Sequence, residues 1–489
     1  MQPRFLLATL LGYASLTACG DNVGVAPAAP NGDGGTSSGD AKADVVAPHG
    51  CDLNKDPVDS AACVDDGVGI FVDGAKGSDT NPGTKAGPVK TVSKAVDIAG
   101  NKRVYVCEGT YPDALVVKAK AAVYGGFACA DWKPGTASVL IAPSQQGYAL
   151  DIQKAGGGVL LVDLAFEARS GTESAPNSIA ARVEGTTDVT LRRVSLTAKD
   201  GATGKMGDGG TTGAYVAPEG GSGNGKPAGA AAPGGAKSCT CTTGGGTTIG
   251  NSGGNEVGGS GNTGQPTVAG ALPPDDGAGG INANCGAAEP NGTGNTGANA
   301  PPASPGPKLA ATALGTIKDG AWEGAKGADG SPGTVGQGGG GGGSRGIMSF
   351  GGGGGCGGCG GSAGKGGAAG GASIALLTMG STVSLNACKL HVGTGGTGGT
   401  GGTGGGGAPG AAGGGSLSGC SGGDGGKGGD GGAGGGGAGG LAVGIAYQGT
   451  KPTGQFSFLA GTAGEGGMGG APGTNDGPKG AGGESYAIP

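Results

Sequence analysis

Histidine sets the first limit on chemistry, because only His49 and His391 occur in 489 residues. That count excludes a HExxH helix, a Ser-His-Asp triad and a histidine-built metal site. His391 alternates with Leu390 and Val392, so it is expected on the outward face of a strand. Cleavage of a polysaccharide without histidine would need acidic side chains and a base gathered on one strand face. The available groups, Asp65, Asp66, Asp163, Glu167, Asp188, Arg192 and Arg193, are scattered along the chain. Arg192 and Arg193 fall at a corner between two strands, where solvated charge is expected. The run GGDGGKGGDGG, residues 422–432, spaces its acids as calcium repeats do but lacks the apolar residue each nonapeptide needs. No metal or cofactor is expected, and a non-catalytic role is favoured.

The twelve cysteines point to an oxidising compartment. Cys19 stands apart near the N-terminus, and the remaining eleven are odd in number, so one thiol is free or pairs between molecules. Cys51 and Cys63 bracket a short loop, and Cys107 and Cys129 lie about one structural repeat apart. Cys239 and Cys241 sit in the outgoing half of a long insert, with Cys356 and Cys359 in its returning half. These eight are candidate disulfide partners. A zinc site built from four cysteines is the sharper alternative for the last four, and a redox role for the CxxC of Cys356 and Cys359 is another.

The chain opens with Arg4 and an apolar run from Phe5 to Leu16, too short to span a bilayer. Leu16-Thr17-Ala18-Cys19 resembles a bacterial lipobox, which implies a signal peptide over 1–18 and lipidation of Cys19. Gly20 follows, and Asp is not at that position, so the inner-membrane retention signal of enteric bacteria is missing. Residues 19–50 hold hardly any large apolar side chain and read as a flexible tether. The expected location is the cell envelope, anchored to the outer membrane through the lipid. Net charge is −6 with no basic run, which argues against nucleic acid as a partner.

The elements that would position any site repeat along the chain. Val159, Leu161, Leu164, Phe166 and Ala168 follow V-x-L-x-x-L-x-F-x-A. Val189, Leu191, Val194, Leu196 and Ala198 repeat it, as do Val383, Leu385, Cys388, Leu390 and Val392, with a truncated copy at Phe456, Phe458 and Ala460. Alternation marks strands with one buried face, and the two-residue gap marks a corner. Another alternating strand precedes each copy: Tyr148-Leu150-Ile152, Ile179-Ala181-Val183, Ile374-Leu376 and Ile445-Tyr447. Together these make the rungs of a parallel β-helix; an antiparallel sandwich shares the alternation but not the repeated bend. After a Cys-bracketed lead-in at 51–69, the helix occupies 70–198, with rungs at 373–392 and 441–460. Gly-rich inserts fill 199–372 and 393–440, and a Gly-rich tail fills 461–489.

Glycine supplies 130 residues, concentrated in those inserts. Thr394, Thr397, Thr400 and Thr403 recur every third residue between glycine pairs, as do Asp424, Lys427 and Asp430. A period of three fits polyglycine-II helices packed side by side. Disordered low-complexity loops and a collagen-like triple helix are the alternatives. Such arrays resemble the tips of certain bacteriophage adhesins and a Gly-rich insect antifreeze protein.

The segment Phe71–Tyr111 carries a wider resemblance. Its GSDTNPGT at 77–84, PVKT at 88–91 and following short helix resemble the opening cap of right-handed parallel β-helix domains of the pectin-lyase-like type, as in the DUF1565 cap motif. With YGGFACADW at 124–132 and the exit AKDGATG at 198–204, the chain resembles Gly-rich envelope lipoproteins of myxobacterial type, some labelled PE-PGRS-like. The resemblance implies an all-β, right-handed parallel β-helix with a short capping helix, and it implies no active site. A structural or adhesive surface role follows, with polysaccharide or cell-surface components as partners. The alternative is a polysaccharide lyase or hydrolase on the same scaffold, which would need three or more carboxylates lining a cleft.

Overall fold

The computed structural model describes residues 45, 47–216, 225–230, 232–243, 246–255, 259–268, 271–272, 274–281, 285, 292–309, 312–345 and 347–489. The expected signal peptide, the lipobox-like stretch with Cys19 and most of the expected tether lie outside the described residues. Within them the chain is nearly all β, and its two large sheets are parallel throughout. No described helix is long and apolar enough to cross a membrane.

The larger sheet stacks Gly69–Val72, Arg103–Cys107, Ala121–Phe127, Val159–Val162, Val189–Arg192 and Val383–His391 in that order. Its register aligns like with like: Val189 lies between Val159 and Val383, and Leu191 between Leu161 and Leu385. The corner in the repeat motif is a single left-handed residue in each of the three full copies. Asp163, Arg193 and Ala387 hold φ of 56°, 52° and 52°. Beyond the corner, Ala165–Glu167 and Ser195–Thr197 pair in turn, and Val383–His391 runs through the bend to pair with both arms. A β-carbon in that backbone region costs about 1–2 kcal/mol. Ala387 is exposed and packs nothing away, so Ala387→Gly should raise stability by up to about 1 kcal/mol. Thermal melts of the two proteins check this, and an unchanged or lower melting temperature would count against the strained corner.

The second sheet stacks Leu115–Val117, Leu150–Gln153, Ser178–Glu184, Ser373–Met379, Ala442–Gln448 and Gly482–Ala487. That last strand brings the segment expected to be a Gly-rich tail back into the sheet. The faces of the two sheets enclose one core containing Ile152, Leu161, Phe166, Val183, Leu191 and Leu376. Ile179 and Ile374, expected to share the inward face with Ala181 and Leu376, pack instead in a second cluster with Trp322 and Leu314. The reason is a cover that the repeat pattern does not announce. An antiparallel hairpin, Gly315–Lys318 with Ala321–Gly324, lies over the outer face, so Ser373–Met379 is buried on both sides.

The helix Val92–Ala99 places Val92, Ala95 and Ala99 against the core. The GSDTNPGT–PVKT motif builds its start. Asp79 accepts hydrogen bonds from the amides of Lys90 and Thr91 and from the Thr91 hydroxyl, at 2.9–3.0 Å. Thr91 in turn caps the helix by accepting from the Lys94 amide. Burial works against the Asp79 charge, but those donors hold its carboxyl below the usual range.

The Gly-rich segments run from the ends of the strands as extended chains bonded mainly through backbone. Gly396, Gly399, Gly402 and Gly405 donate to the carbonyls of Gly371, Ala368, Lys365 and Ser362, one bond every third residue between antiparallel segments. Gly358, Gly361, Gly364 and Gly367 donate to Gly426, Gly429, Gly432 and Gly435 in the same rhythm between parallel ones. Residues 420–440 bond to segments on several sides, including 396–414, 325–343, 464–470 and 294–306. One chain supplies every neighbour. A β-carbon has no room at these contacts: at Gly399 it would lie 2.0 Å from the Lys205 carbonyl oxygen, and at Gly398 2.1 Å from that of Gly437.

Candidate functional site

The feature with the most regular chemistry is one outer face of this glycine array. Thr394, Thr397, Thr400 and Thr403 offer their carbonyls to the amides of Gly201, Gly204, Gly207 and Gly210 at 2.7–2.8 Å. Gly395, Gly398 and Gly401 bond on the other flank to Thr462, Glu465 and Met468 at 2.8–2.9 Å. With its backbone tied on both flanks, residues 394–403 can only turn the threonine side chains outward. Thr394, Thr397 and Thr403 are exposed and Thr400 half-buried. Three extended residues at ~3.1 Å each set successive threonines roughly 9 Å apart. On one flank lie Thr203 and Met206, and on the other Thr462, Glu465 and Met468, all exposed. Among the described residues the four ladder hydroxyls make no hydrogen bond of their own, so their donors and acceptors face solvent.

The array is cross-linked where its acidic residues touch it. Asp424 and Asp430 accept the amides of Gly413 and Gly407 at 2.8 Å, and Lys427 pairs with Asp430 at 2.9 Å. Asp424 and Asp430 therefore tie segments together, while the Lys427 ammonium pairs within its own segment. The cysteines do the same covalently. Cys239 bonds Cys356 and Cys241 bonds Cys359, so these four sulfurs form two disulfides that join the outgoing and returning halves of the long insert. Cys51–Cys63 closes the lead-in and Cys107–Cys129 a turn of the sheet. Cys285 and Cys420, which spacing did not single out, form a further bridge, and Cys388 is a free buried thiol raised in pKa by its burial.

Of the scattered charges of the sequence, Asp163, Glu167, Arg192 and Arg193 are gathered by the fold into ion pairs. Asp65 and Asp66 accept the Gly67 and Lys85 amides, and Asp188 has no ion pair among the described residues. Arg193 makes two hydrogen bonds of 2.7 Å to Asp163, one repeat below it at the corner, and a third to Asp56. Those bonds to Asp163, then to Asp56, raise its pKa further. Arg192 also reaches Asp56 at 3.1 Å. The corner arginines therefore clamp the lead-in to the sheet instead of standing alone in solvent. Glu167 pairs with Lys199 at 2.7 Å. His391 is exposed on the outward face beside Lys389, with Ser195 and Thr197 on the neighbouring strand. Trp132 is buried edge-on to Phe71, 4.7 Å between ring centres, and its indole is not available as a sugar platform. Tyr105 belongs to the same aromatic cluster, and burial pushes the pKa of its hydroxyl up to about 12.

A pair missed in the sequence lies on the second sheet. Arg182 and Asp151, opposite each other in register, form a two-pronged ion pair at 2.8 and 2.9 Å, and Arg182 also donates to the Gly320 carbonyl of the covering hairpin. The alternation Asp151–Arg182 at outward positions was the available signal. A cavity of about 510 Å³ beside Glu167 holds that one carboxylate, with Arg169 and Lys199. One of about 520 Å³ at the root of the array holds Asp208 and Glu323 among Lys205, Lys326 and Lys365. Neither gathers three carboxylates.

No known family matches the sequence, and no curated protein matches it. Among solved structures, a selenomethionine derivative of the GH136 lacto-N-biosidase from Eubacterium ramulus is similar over 27% of this chain and 27% of its own. Identity is 15% and the TM-score 0.22, a likeness that carries no argument about fold or activity.

Proposed function

We propose that the protein is a lipid-anchored envelope protein whose parallel sheets coil as a right-handed β-helix and whose glycine segments pack as polyglycine-II helices to form an adhesive surface. The single observation that carries this reading is the threonine ladder, a row of unpaired hydroxyls held at a fixed spacing by backbone bonds on both flanks. A polysaccharide offers hydroxyls at a comparably regular repeat, and a rigid partner loses little entropy on meeting it. Asp151, Asp163 and Glu167 are engaged in ion pairs, which favours adhesion over cleavage.

The test is a glycan array run beside a polysaccharide-degradation screen on the full-length protein in detergent. Binding without product release supports adhesion; release of reducing ends or unsaturated products overturns it. Anchoring has its own test, motivated by Leu16-Thr17-Ala18-Cys19. Several acyl chains hold a protein on a membrane far more firmly than one. Cys19→Ala is therefore expected to move the protein out of the membrane fraction or to block its processing. Unchanged fractionation with unchanged acyl labelling would remove the lipid anchor from the account.

A further inference from the structure

On the outer face of the larger sheet, under the lead-in, a cavity of about 510 Å³ is lined by Arg103, Lys120, Tyr124, Leu160, Thr190 and Arg192, together with Asn101 and Asp188. Such a volume accommodates a small sugar. Arg103 is the buried member, only 6% exposed. Its Nη2 donates to the Leu53 and Lys55 carbonyls, and its Cζ lies 5.0 Å from the Tyr124 ring centre. Its Nη1 is buried with no hydrogen-bond acceptor. A buried donor left unpaired is costly, and such groups in native proteins usually have a partner.

The charge around that donor is one-sided. Three cations, Arg103, Lys120 and Arg192, face the cavity against one carboxylate, Asp188, but Arg192 is already paired with Asp56, so two cations stand against one carboxylate and the excess is one positive charge. Asp56 is already shared between Arg192 and Arg193. Lys120 is exposed and has no ion pair among the described residues. The other polar groups, the Asn101 amide and the Thr190 and Tyr124 hydroxyls, can all donate. Leu160 and Ala122 supply an apolar floor.

We propose that this cavity is a subsite for a sugar carrying a phosphate ester. A phosphomonoester bears about −1.5 to −2 at neutral pH, opposite in sign to the excess charge of the lining, and guanidinium groups bind tetrahedral oxyanions through paired N–H donors. Its hydroxyls would meet Asn101 and Thr190, and its ring the Tyr124–Leu160 floor. The inference rests on the adhesive reading and names one ligand class for it, at a place separate from the threonine ladder.

Calorimetric titration of the full-length protein with glucose 6-phosphate is the test, with glucose, inorganic phosphate and galacturonate as comparison arms. Glucose 6-phosphate should bind at least tenfold more tightly than each of the other three. Lys120→Glu, a change at an exposed position that leaves folding intact, should weaken it at least tenfold. Equal binding of glucose, or no effect of Lys120→Glu, overturns the anion subsite. Equal binding of inorganic phosphate overturns the sugar component, and equal binding of galacturonate overturns the phosphate. A positive glycan array with no glucose 6-phosphate binding would sink the subsite and leave adhesion standing; the opposite pair of results would do the reverse.

Discussion

Leu191→Asp is expected to destabilise the protein by roughly 3 kcal/mol or more, because it puts an unpaired carboxylate where no water reaches. Leu191 is fully buried, stacked between Leu161 and Leu385. The aspartate would escape part of the cost by staying protonated, so its folded pKa would rise above the unfolded value near 3.9. A group with a raised folded pKa loses stability as pH climbs past its unfolded pKa. The melting deficit should therefore be smaller at pH 4 than at pH 7. Ser384→Asp is the control. Ser384 neighbours Leu385 on the same strand but is exposed, and the change should stay within about 0.5 kcal/mol. Equal melting temperatures for the two variants would reject the inward assignment of the repeat.

Gly399→Val should have the second largest effect. Its side chain would meet the Lys205 carbonyl at 2.0 Å, and the Gly399 amide is already bonded to the Ala368 carbonyl at 2.7 Å. Backbone cannot rotate aside as a side chain can, so adjacent segments must separate and lose their bonds; the cost is about 1–3 kcal/mol. Thr397→Val, two residues away and exposed, should be silent in stability while removing one hydroxyl from the ladder. A thermal melt of each variant reads the difference, and equal silence would mean that 393–440 does not pack.

The repeat was legible in the sequence because burial on one face imposes a period of two, and a corner interrupts that period in the same place each time. Val159, Leu161, Phe166 and their copies could thus be placed from pattern alone. The outer cover was not legible. Ile179 and Ile374 look like inward residues, and only the hairpin carrying Trp322, distant from both in the chain, makes their outward position dry. The charged pairs were hidden for the same reason. Asp56 and Arg192 are joined across 136 residues, a closure that local pattern cannot report. The period of three in the glycine runs was plain, but a period does not say which segment lies beside which. That follows from where the inserts leave and re-enter the stacked strands, and from the Cys239–Cys356 and Cys241–Cys359 bridges.

The adhesive account depends most on the glycine segments being one hydrogen-bonded body. Hydrogen exchange of residues 393–440 in the full-length protein measures this directly. The amides of Gly396, Gly399, Gly402 and Gly405, bonded at 2.7–2.9 Å, should be strongly protected, and Gly399→Val should release them while Thr397→Val leaves them slow. Exchange at random-coil rates in the unmutated protein would contradict the account, since the threonine ladder would then have no fixed spacing to offer.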